Sequence, residues 1–351
     1  MKFANILLAG FLFSFSACFD GSTNSCVPVG QTKGFGYSPR GFPESSQYAT
    51  EFYVEIQNLR DAGIFWSGLW RDDLAGSDAG RVPTLADEIV EKSRTYCYMP
   101  TVVFRWRDQN TLYIGVPANP DNSWLNQEAK NAFLTMLTRF VSEHRAPYIF
   151  LGHENDFYYQ DHLLDYEQWI AFYNQAYDTI KEISPATQVG PTFNFEHIAG
   201  SGLAEGWVTP YWEALLRHDQ ARVDIVGLTL YPFFHVTNPN QVPANYLSPL
   251  FEKIGNKAVA ILETGWPATN SAGTSSNWEV GEPLQADYIR TLTSILTGRN
   301  IAMVNWKYLY EPGDALADPM SKAFPGISLK TKTNTPRLAY DEWVSLGADS
   351  F

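Results

Sequence analysis

The sequence predicts a single domain folded as a (β/α)8 TIM barrel, and three observations lead to this prediction. Strand-like and helix-like segments alternate eight times, from a first strand near Phe35 to a last helix that ends near Leu346. Of the 351 residues, 45% are hydrophobic and 18% are charged, which is enough apolar material for one large core. No long linker, low-complexity segment or internal repeat divides the chain, so one barrel accounts for the whole alternating region.

Short apolar runs mark the predicted strands, because the strands of a parallel barrel are buried on both faces. The predicted strands are Phe35–Ser38, Ile64–Leu69, Tyr98–Trp106, Tyr148–Gly152, Thr187–Phe193, Val223–Leu230, Ala258–Leu262 and Ile301–Trp306. Between these runs, apolar residues recur at the spacing of amphipathic helices. The predicted helices are Ala49–Arg60, Leu85–Arg94, Glu128–His144, Tyr166–Ile183, Trp207–His218, Pro249–Ile254, Glu282–Thr297 and Tyr340–Leu346.

The N-terminus has the pattern of an export signal. Lys2 precedes an apolar stretch from Ile6 to Phe13, which is too short to span a bilayer as a permanent helix. It ends in Phe15-Ser16-Ala17-Cys18, which resembles a bacterial lipobox, so we expect Cys18 to become the lipidated first residue. Ordinary signal cleavage is the alternative. We therefore expect residues 1–17 to be a signal peptide, residues 18–33 a lipidated tether and residues 34–351 the barrel.

The expected location is the cell envelope. Phe19, rather than Asp, follows Cys18, and by resemblance to the known sorting rule this favours an outer-membrane lipoprotein. Two further cysteines, Cys26 in the tether and Cys97 before the third strand, could form a disulfide in an oxidising compartment. The sequence leaves that pairing open, and it leaves the oligomeric state open as well.

Charge and composition exclude some classes of partner. The formal net charge of −13 disfavours nucleic acid and anionic membrane surfaces, whereas a neutral polymer is unaffected by it. Aromatic residues make up 15% of the chain, and flat aromatic faces suit sugar rings as well as protein cores. His153, Glu154, Asp156 and His162 are residue types that bind metals, but their spacing matches no helical two-histidine motif. We therefore expect no metal or other cofactor.

Two glutamates each follow an apolar run at the end of a predicted strand. Glu154 comes shortly after Tyr148–Leu151, and Glu263 directly follows Ala258–Leu262. The carboxyl ends of barrel strands share one rim, where such barrels place their chemistry. A facing pair of carboxyl groups can cleave a glycosidic bond, with about 5–5.5 Å between the groups in retaining enzymes and about 6.5–9.5 Å in inverting enzymes.

The string Glu263-Thr264-Gly265-Trp266-Pro267 resembles the nucleophile region of clan A glycoside hydrolases, notably of the endo-β-1,3-glucanase family. The layout from Gly34 to Trp343 also resembles the endo-β-1,4-galactanase family and related bacterial barrels. In that clan the acid/base glutamate follows strand four and the nucleophile follows strand seven. The resemblance implies a retaining hydrolase of a β-linked polysaccharide or oligosaccharide, with Glu154 as acid/base and Glu263 as nucleophile.

The resemblance also implies substrate-binding residues beside the two glutamates. In clan A an Asn usually precedes the acid/base glutamate and binds the substrate 2-hydroxyl, whereas here His153 stands in that place and Asn155 follows. Tyr231, after strand six, would hydrogen-bond the nucleophile. Trp306, at the end of strand eight, would floor the sugar subsite next to the scissile bond.

Further residues at strand ends complete the expected site. Arg71 or Arg105 could hold Glu263 ionised, although a loop salt bridge is the alternative for Arg71. Asn194 could reach a sugar hydroxyl. Trp266 of the nucleophile string is expected among the substrate-binding residues, and Trp66, Trp70 and Trp106 could stack on further sugar units.

A second class of function remains open at this stage. A non-catalytic carbohydrate-binding or scaffold lipoprotein could use the same barrel, because fold alone does not decide function. The two glutamates discriminate between the alternatives, since an enzyme needs both of them facing one another across the barrel mouth.

Overall fold

The computed structural model describes residues 26–59, 62–71, 84–108, 110–270, 276–313 and 324–351. The expected signal peptide, Cys18 and the first half of the expected tether, residues 18–25, lie outside these residues. No helix in the described ranges combines the length and apolar character that crossing a membrane requires.

Eight parallel strands close into one barrel, which confirms the predicted fold class. Around the barrel, each strand pairs with its neighbours in the chain, and the first strand pairs with the last. The strands are β1 (Thr32–Gly36), β2 (Ala62–Leu69), β3 (Met99–Arg105), β4 (Tyr148–Leu151), β5 (Gln188–Asn194), β6 (Ile225–Leu230), β7 (Ala258–Thr264) and β8 (Ile301–Trp306). A short antiparallel hairpin, Arg107–Asp108 with Thr111–Leu112, follows β3.

Helices surround the barrel. They are α1 (Ala49–Gln57), α2 (Thr84–Tyr96), α3 (Gln127–His144), α4 (Asn155–Asp161), α5 (Leu163–Ile183), α6 (Phe195–Ile198), α7 (Glu213–Leu216), α8 (Ser248–Ile254), α9 (Glu282–Leu296) and α10 (Leu338–Ser345). The prediction missed α4 and α6, which are short and lack an amphipathic repeat. It overextended α7, which begins only after Pro210 because a proline and the residue before it disfavour helical backbone.

Alternation along the strands divides the core into two layers. A small apolar cluster fills the barrel interior, and its members are Phe65, Val103, Phe150, Ile225, Ala260, Leu262 and Met303. The other apolar strand residues, such as Val226 and Val304, belong to the larger cluster between barrel and helices. Because successive side chains of a strand point to opposite faces, the inner cluster fixes which residues further along each strand face the barrel mouth.

A disulfide joins Cys26 to Cys97, which answers the pairing that the sequence left open. The bridge ties the segment before β1 to the end of α2, 71 residues away in sequence. Replacing both cysteines by serine should lower the free energy of unfolding by about 2–4 kcal/mol, because the unfolded chain regains the freedom that the bridge removes. Urea unfolding with and without dithiothreitol measures this, and an unfolding midpoint of the wild type that reductant leaves unchanged would contradict it.

Candidate active site

Strand alternation brings three polar side chains to the barrel mouth. On β6, Ile225 belongs to the inner cluster, so Thr229 and Tyr231 continue on the inward face. On β8, Met303 belongs to the same cluster, and Lys307 lies on that face just beyond the end of the strand. These three side chains contact the two glutamates that the sequence singled out.

A β-bulge directs Glu263 into the mouth. Ala260 and Leu262 both belong to the inner cluster, so a regular strand would point Glu263 outward. The pairing of β7 with β6 instead shifts by one residue, passing from Ile261 directly to Glu263. The following residue, Thr264, then points outward and hydrogen-bonds a tyrosine of α9 at 2.6 Å. Bulges of this kind commonly re-aim a side chain beside an active site.

The Glu263 carboxylate is buried and has three polar side chains around it. Tyr231 Oη donates a hydrogen bond to Oε2 at 2.8 Å, and the Lys307 ammonium forms an ion pair with the same oxygen. His153 Nε2 lies 3.5 Å from Oε1. Burial alone would raise the pKa of Glu263, but Lys307 and His153 hold that pKa well below its ordinary value. Glu263 is therefore an ionised carboxylate in spite of its burial.

The same ion pair acts on Lys307. Burial favours the neutral amine, yet the neighbouring Glu263 carboxylate raises the pKa of Lys307 above its ordinary value. The pair is therefore a carboxylate and an ammonium, and neither oxygen of Glu263 carries a proton.

Glu154 is placed by a tight turn after β4. Its backbone is left-handed, with φ of 51°, a conformation that non-glycine residues adopt at a cost of about 1–3 kcal/mol and mostly at functional sites. The Glu154 N–H donates to Thr192 Oγ1 at 2.8 Å, which secures the turn to β5. This turn also starts α4 directly after the strand.

The two oxygens of Glu154 differ in their surroundings. Oε1 accepts hydrogen bonds from Thr229 Oγ1 at 2.6 Å and from Asn194 Nδ2 at 3.2 Å. The Asn194 amide has a fixed orientation, because its Oδ1 accepts the N–H of His197 at 3.0 Å and so leaves Nδ2 to face Glu154. Oε2 lies 3.9 Å from His153 Nδ1. Oε1 is thus held by two donors, whereas Oε2 faces His153.

His153 lies between the two carboxyl groups. Its Nδ1 faces Glu154 and its Nε2 faces Glu263, so one imidazole ring spans the gap from β4 to β7. The two carboxyl groups therefore face one another over the same mouth of the barrel. A facing pair of carboxyl groups is what enzymatic cleavage of a glycosidic bond requires.

Residues 150–298 match the family model of glycosyl hydrolase family 53, and this segment, fewer than half of the 351 residues, carries both glutamates. Over this segment the chain is similar to a family of clan A glycoside hydrolases. A search of the curated proteins finds no match to it.

Several solved structures share the barrel fold. The GH53 catalytic domain of Ignisphaera aggregans has a TM-score of 0.62 at 14% identity, covering 90% of this chain and 96% of that one. A GH5_18 protein from Bifidobacterium longum subsp. longum, in complex with Manβ1-4GlcNAc, has a TM-score of 0.66 at 13% identity, covering 92% and 78%. An exo-β-1,4-mannosidase from Opitutaceae bacterium strain TAV5 has a TM-score of 0.63 at 14% identity, covering 90% of this chain. This chain spans only 58% of that mannosidase.

Two tryptophans expected to contact substrate are buried in the structure instead. Trp306 is fully buried and donates from Nε1 to the Ile327 carbonyl at 2.7 Å, facing the helices rather than the mouth. Trp266 is also fully buried, and its Nε1 donates to the Glu279 carbonyl at 3.0 Å. Strand alternation explains Trp306, because its neighbour Lys307 takes the inward position. The tryptophans at the ends of β2 and β3 are likewise buried, namely Trp66, Trp70 and Trp106.

Three polar predictions also need correction. The expected ion pair of Glu263 with Arg71 or Arg105 is replaced by the pair with Lys307. Arg71 donates to the Gly115 carbonyl at 2.6 Å, and Arg105 pairs with Asp108 at 2.9 Å. Asn155 is buried and donates to the Leu151 carbonyl at 3.1 Å, so it supports the turn after β4 rather than facing substrate.

Sequence reasoning missed Lys307 and Thr229, although a signal for both was present. Counting every second residue from Met303 reaches Lys307, and counting from Ile225 reaches Thr229. Away from the mouth, a described group of possible metal ligands, Asp87, Glu143 and His144, lies on α2 and α3. His144 and Asp87 contact each other at 2.6 Å, which gives this group a structural role outside the site.

Removing the Lys307 ammonium should move the acid limb of the activity profile. In Lys307→Met, burial becomes the dominant influence on Glu263 and raises its pKa, so the carboxylate is lost on acidification at a higher pH than in the wild type. Each unit by which the pKa exceeds the assay pH removes about tenfold of the ionised form. The measurement is kcat/KM against pH. Lys330→Met, which breaks a pair with Glu55 outside the mouth, is the control and should leave the acid limb in place.

Proposed function

We propose that the protein is a retaining glycoside hydrolase that cleaves a β-linked polysaccharide or oligosaccharide. In this proposal Glu263 attacks the anomeric carbon and forms a covalent glycosyl-enzyme, while Glu154 first donates a proton to the leaving oxygen and then activates water as a base. The observation that carries it is the position of His153, whose imidazole contacts both carboxyl groups at 3.5 and 3.9 Å.

The ionised state of Glu263 and the hydrogen bonds of Glu154 support this division of roles. Glu263 is ionised, because Lys307 and His153 oppose the effect of its burial, and an ionised carboxylate is what a nucleophile needs. Glu154 Oε1 accepts hydrogen bonds from two donors, and its Oε2 lies 3.9 Å from His153 Nδ1. In this proposal Oε2 carries the proton that a general acid gives to the leaving oxygen.

His153 occupies the place where clan A usually has Asn. An imidazole N–H can donate to a sugar hydroxyl as an amide does, so His153 is proposed to bind the 2-hydroxyl of the sugar next to Glu263. Tyr231 is proposed to orient the nucleophile through its 2.8 Å hydrogen bond, and Asn194 to orient the acid/base. The β-linkage is supported by the names of structures that share the fold, an exo-β-1,4-mannosidase and a complex with Manβ1-4GlcNAc.

Incubation with a panel of β-glucans, galactans and mannans, followed by reducing ends, tests the proposed activity. The wild type should release reducing ends from at least one polymer, and both Glu154→Gln and Glu263→Gln should fail to do so. Tight binding of a polymer by the wild type without any release would contradict the proposal, and it would favour the carbohydrate-binding scaffold instead.

We also propose that the hydrolase is exported and anchored to the outer membrane by lipid on Cys18. The disulfide between Cys26 and Cys97 supports an oxidising compartment, where such bonds persist. Labelling of expressing cells with radioactive palmitate should mark the wild type and not Cys18→Ser. Release of an unlabelled wild-type protein into the soluble fraction would contradict the anchor and indicate ordinary signal cleavage.

A further inference from the structure

Glu196 is a fully buried carboxyl group that the mechanism above does not use. It lies on α6, the short helix that Asn194 caps, and its relative exposure is 0%. Its Oε2 accepts the backbone N–H of Tyr231 at 3.0 Å, and its Oε1 accepts the hydroxyl of Tyr246 at 3.0 Å. A buried carboxyl group in a helix of four residues calls for an explanation, because its desolvation is costly.

The contact with Tyr231 gives a hydrogen-bond acceptor to a backbone N–H just beyond the end of β6. Strand pairing with β7 stops at Leu230, and the next residue turns into the short 3-10 helix Pro232–Phe234. The Tyr231 N–H lies beyond the ladder in a buried position, where an unpaired donor is unfavourable. Glu196 supplies the acceptor, so the Tyr231 backbone is anchored one side chain away from Glu263.

Glu196 serves this purpose as a neutral group at neutral pH. The pKa of Glu196 is raised to about 8, mainly by burial and to a smaller extent by Glu154, because hydrogen bonds from Tyr231 and Tyr246 only partly oppose these effects. The charge of Glu196, when it is ionised, also raises the pKa of Tyr288 of α9. A neutral carboxyl group can accept the Tyr231 N–H without adding a third negative charge beside the two site glutamates.

We propose that Glu196 is a positioning residue of the hydrolase, which fixes the Tyr231 backbone so that the Tyr231 hydroxyl holds the attacking carboxylate of Glu263. Through Asn194 the same helix orients Glu154, so α6 sets the placement of both site glutamates. This inference rests on the proposed function for its kinetic consequence. Its structural consequence, the 2.8 Å distance from Tyr231 Oη to Glu263 Oε2, is independent of any substrate.

Substitutions of Glu196 test the proposal because the neutral Gln should preserve kcat better than the acidic Asp. Glu196→Gln keeps a carbonyl oxygen for the Tyr231 N–H and is neutral, so kcat should stay within about threefold of the wild type at pH 6.5. Glu196→Asp keeps the acidic function but is one methylene too short, and Glu196→Leu removes the acceptor. Both should lower kcat by about 10²-fold with KM little changed, since a misplaced catalytic group costs about that much. Glu205→Gln, at an exposed position beyond α6, is the control and should behave as the wild type.

The readouts are initial rates on the panel of β-glucans, galactans and mannans and crystal structures of the variants. The distance from Tyr231 Oη to Glu263 should remain near 2.8 Å in Glu196→Gln and lengthen beyond hydrogen-bonding reach in Glu196→Asp. Equal losses in Glu196→Gln and Glu196→Leu, or an unchanged distance in Glu196→Asp, would overturn the positioning role. If the wild type cleaves nothing, the proposed function fails, while the crystallographic distances still decide the role of Glu196. Should Glu196→Leu not fold, Glu196→Asp and Glu196→Gln carry the test.

Discussion

Replacing Glu263 by Gln is expected to lower kcat by about 10⁴-fold or more on any polymer that the wild type cleaves. The substitution keeps the shape of the side chain but removes the oxygen that forms the bond to the anomeric carbon, and loss of a nucleophile costs about this much. KM should change little, because the site remains folded and open. Initial rates of reducing-end release measure the effect, and Glu252→Gln on the exposed face of α8 is the matched control.

A smaller side chain at position 263 makes the assignment sharper. Glu263→Ala leaves space on the nucleophile side, where added azide can attack the anomeric carbon of an activated dinitrophenyl glycoside. A single displacement inverts that carbon, so the product should be the α-glycosyl azide. A β-glycosyl azide from this variant would show that Glu263 is not the nucleophile. Residual polymer cleavage within tenfold of the wild type would contradict the role as well.

The barrel could be predicted from the sequence because its signal is local. Each strand is a short apolar run such as Val259–Leu262, and each is followed by a stretch with helical periodicity. Closure of the barrel then follows from the count of units, since parallel strands with covering helices have few other solutions. Short elements such as α6 carry no such signal. Their positions depend on a single cap, here Asn194, and on contacts that only the folded chain makes.

The two glutamates of the site could be predicted from the sequence, whereas the residues around them were harder to predict. Glu154 shortly follows β4 and Glu263 lies near the end of β7, which puts both at the rim whatever the details of packing. The inward direction of Glu263, however, depends on the bulge between β6 and β7, which no pattern in the sequence reveals. Trp306 shows the opposite case, because strict alternation turns it outward and gives the mouth to Lys307. A residue at the end of a strand can belong to the site only if its side chain points to the inner face of the barrel.

Replacing Glu154 by Gln is expected to have a large effect that depends on the leaving group. On a polymer, the departing sugar oxygen needs the proton that Glu154 supplies, and kcat should fall by about 10²–10⁴-fold. A dinitrophenolate leaves without a proton, so formation of the glycosyl-enzyme from a dinitrophenyl glycoside should be nearly unaffected. Water must then be activated without a base, and the covalent intermediate should accumulate, giving a burst of dinitrophenolate followed by slow turnover.

Azide completes the test of Glu154, because an anion needs no base to attack the glycosyl-enzyme. In Glu154→Ala, azide should restore turnover of the dinitrophenyl glycoside and yield the β-glycosyl azide, since two displacements restore the starting configuration. Glu263→Ala should give the opposite anomer, which makes each variant the control for the other. Equal losses on polymer and dinitrophenyl glycoside in Glu154→Gln would mean that Glu154 does not act on the leaving group. The hydrogen bonds of its Oε1 with Thr229 and Asn194 would then serve only to hold a structural carboxylate.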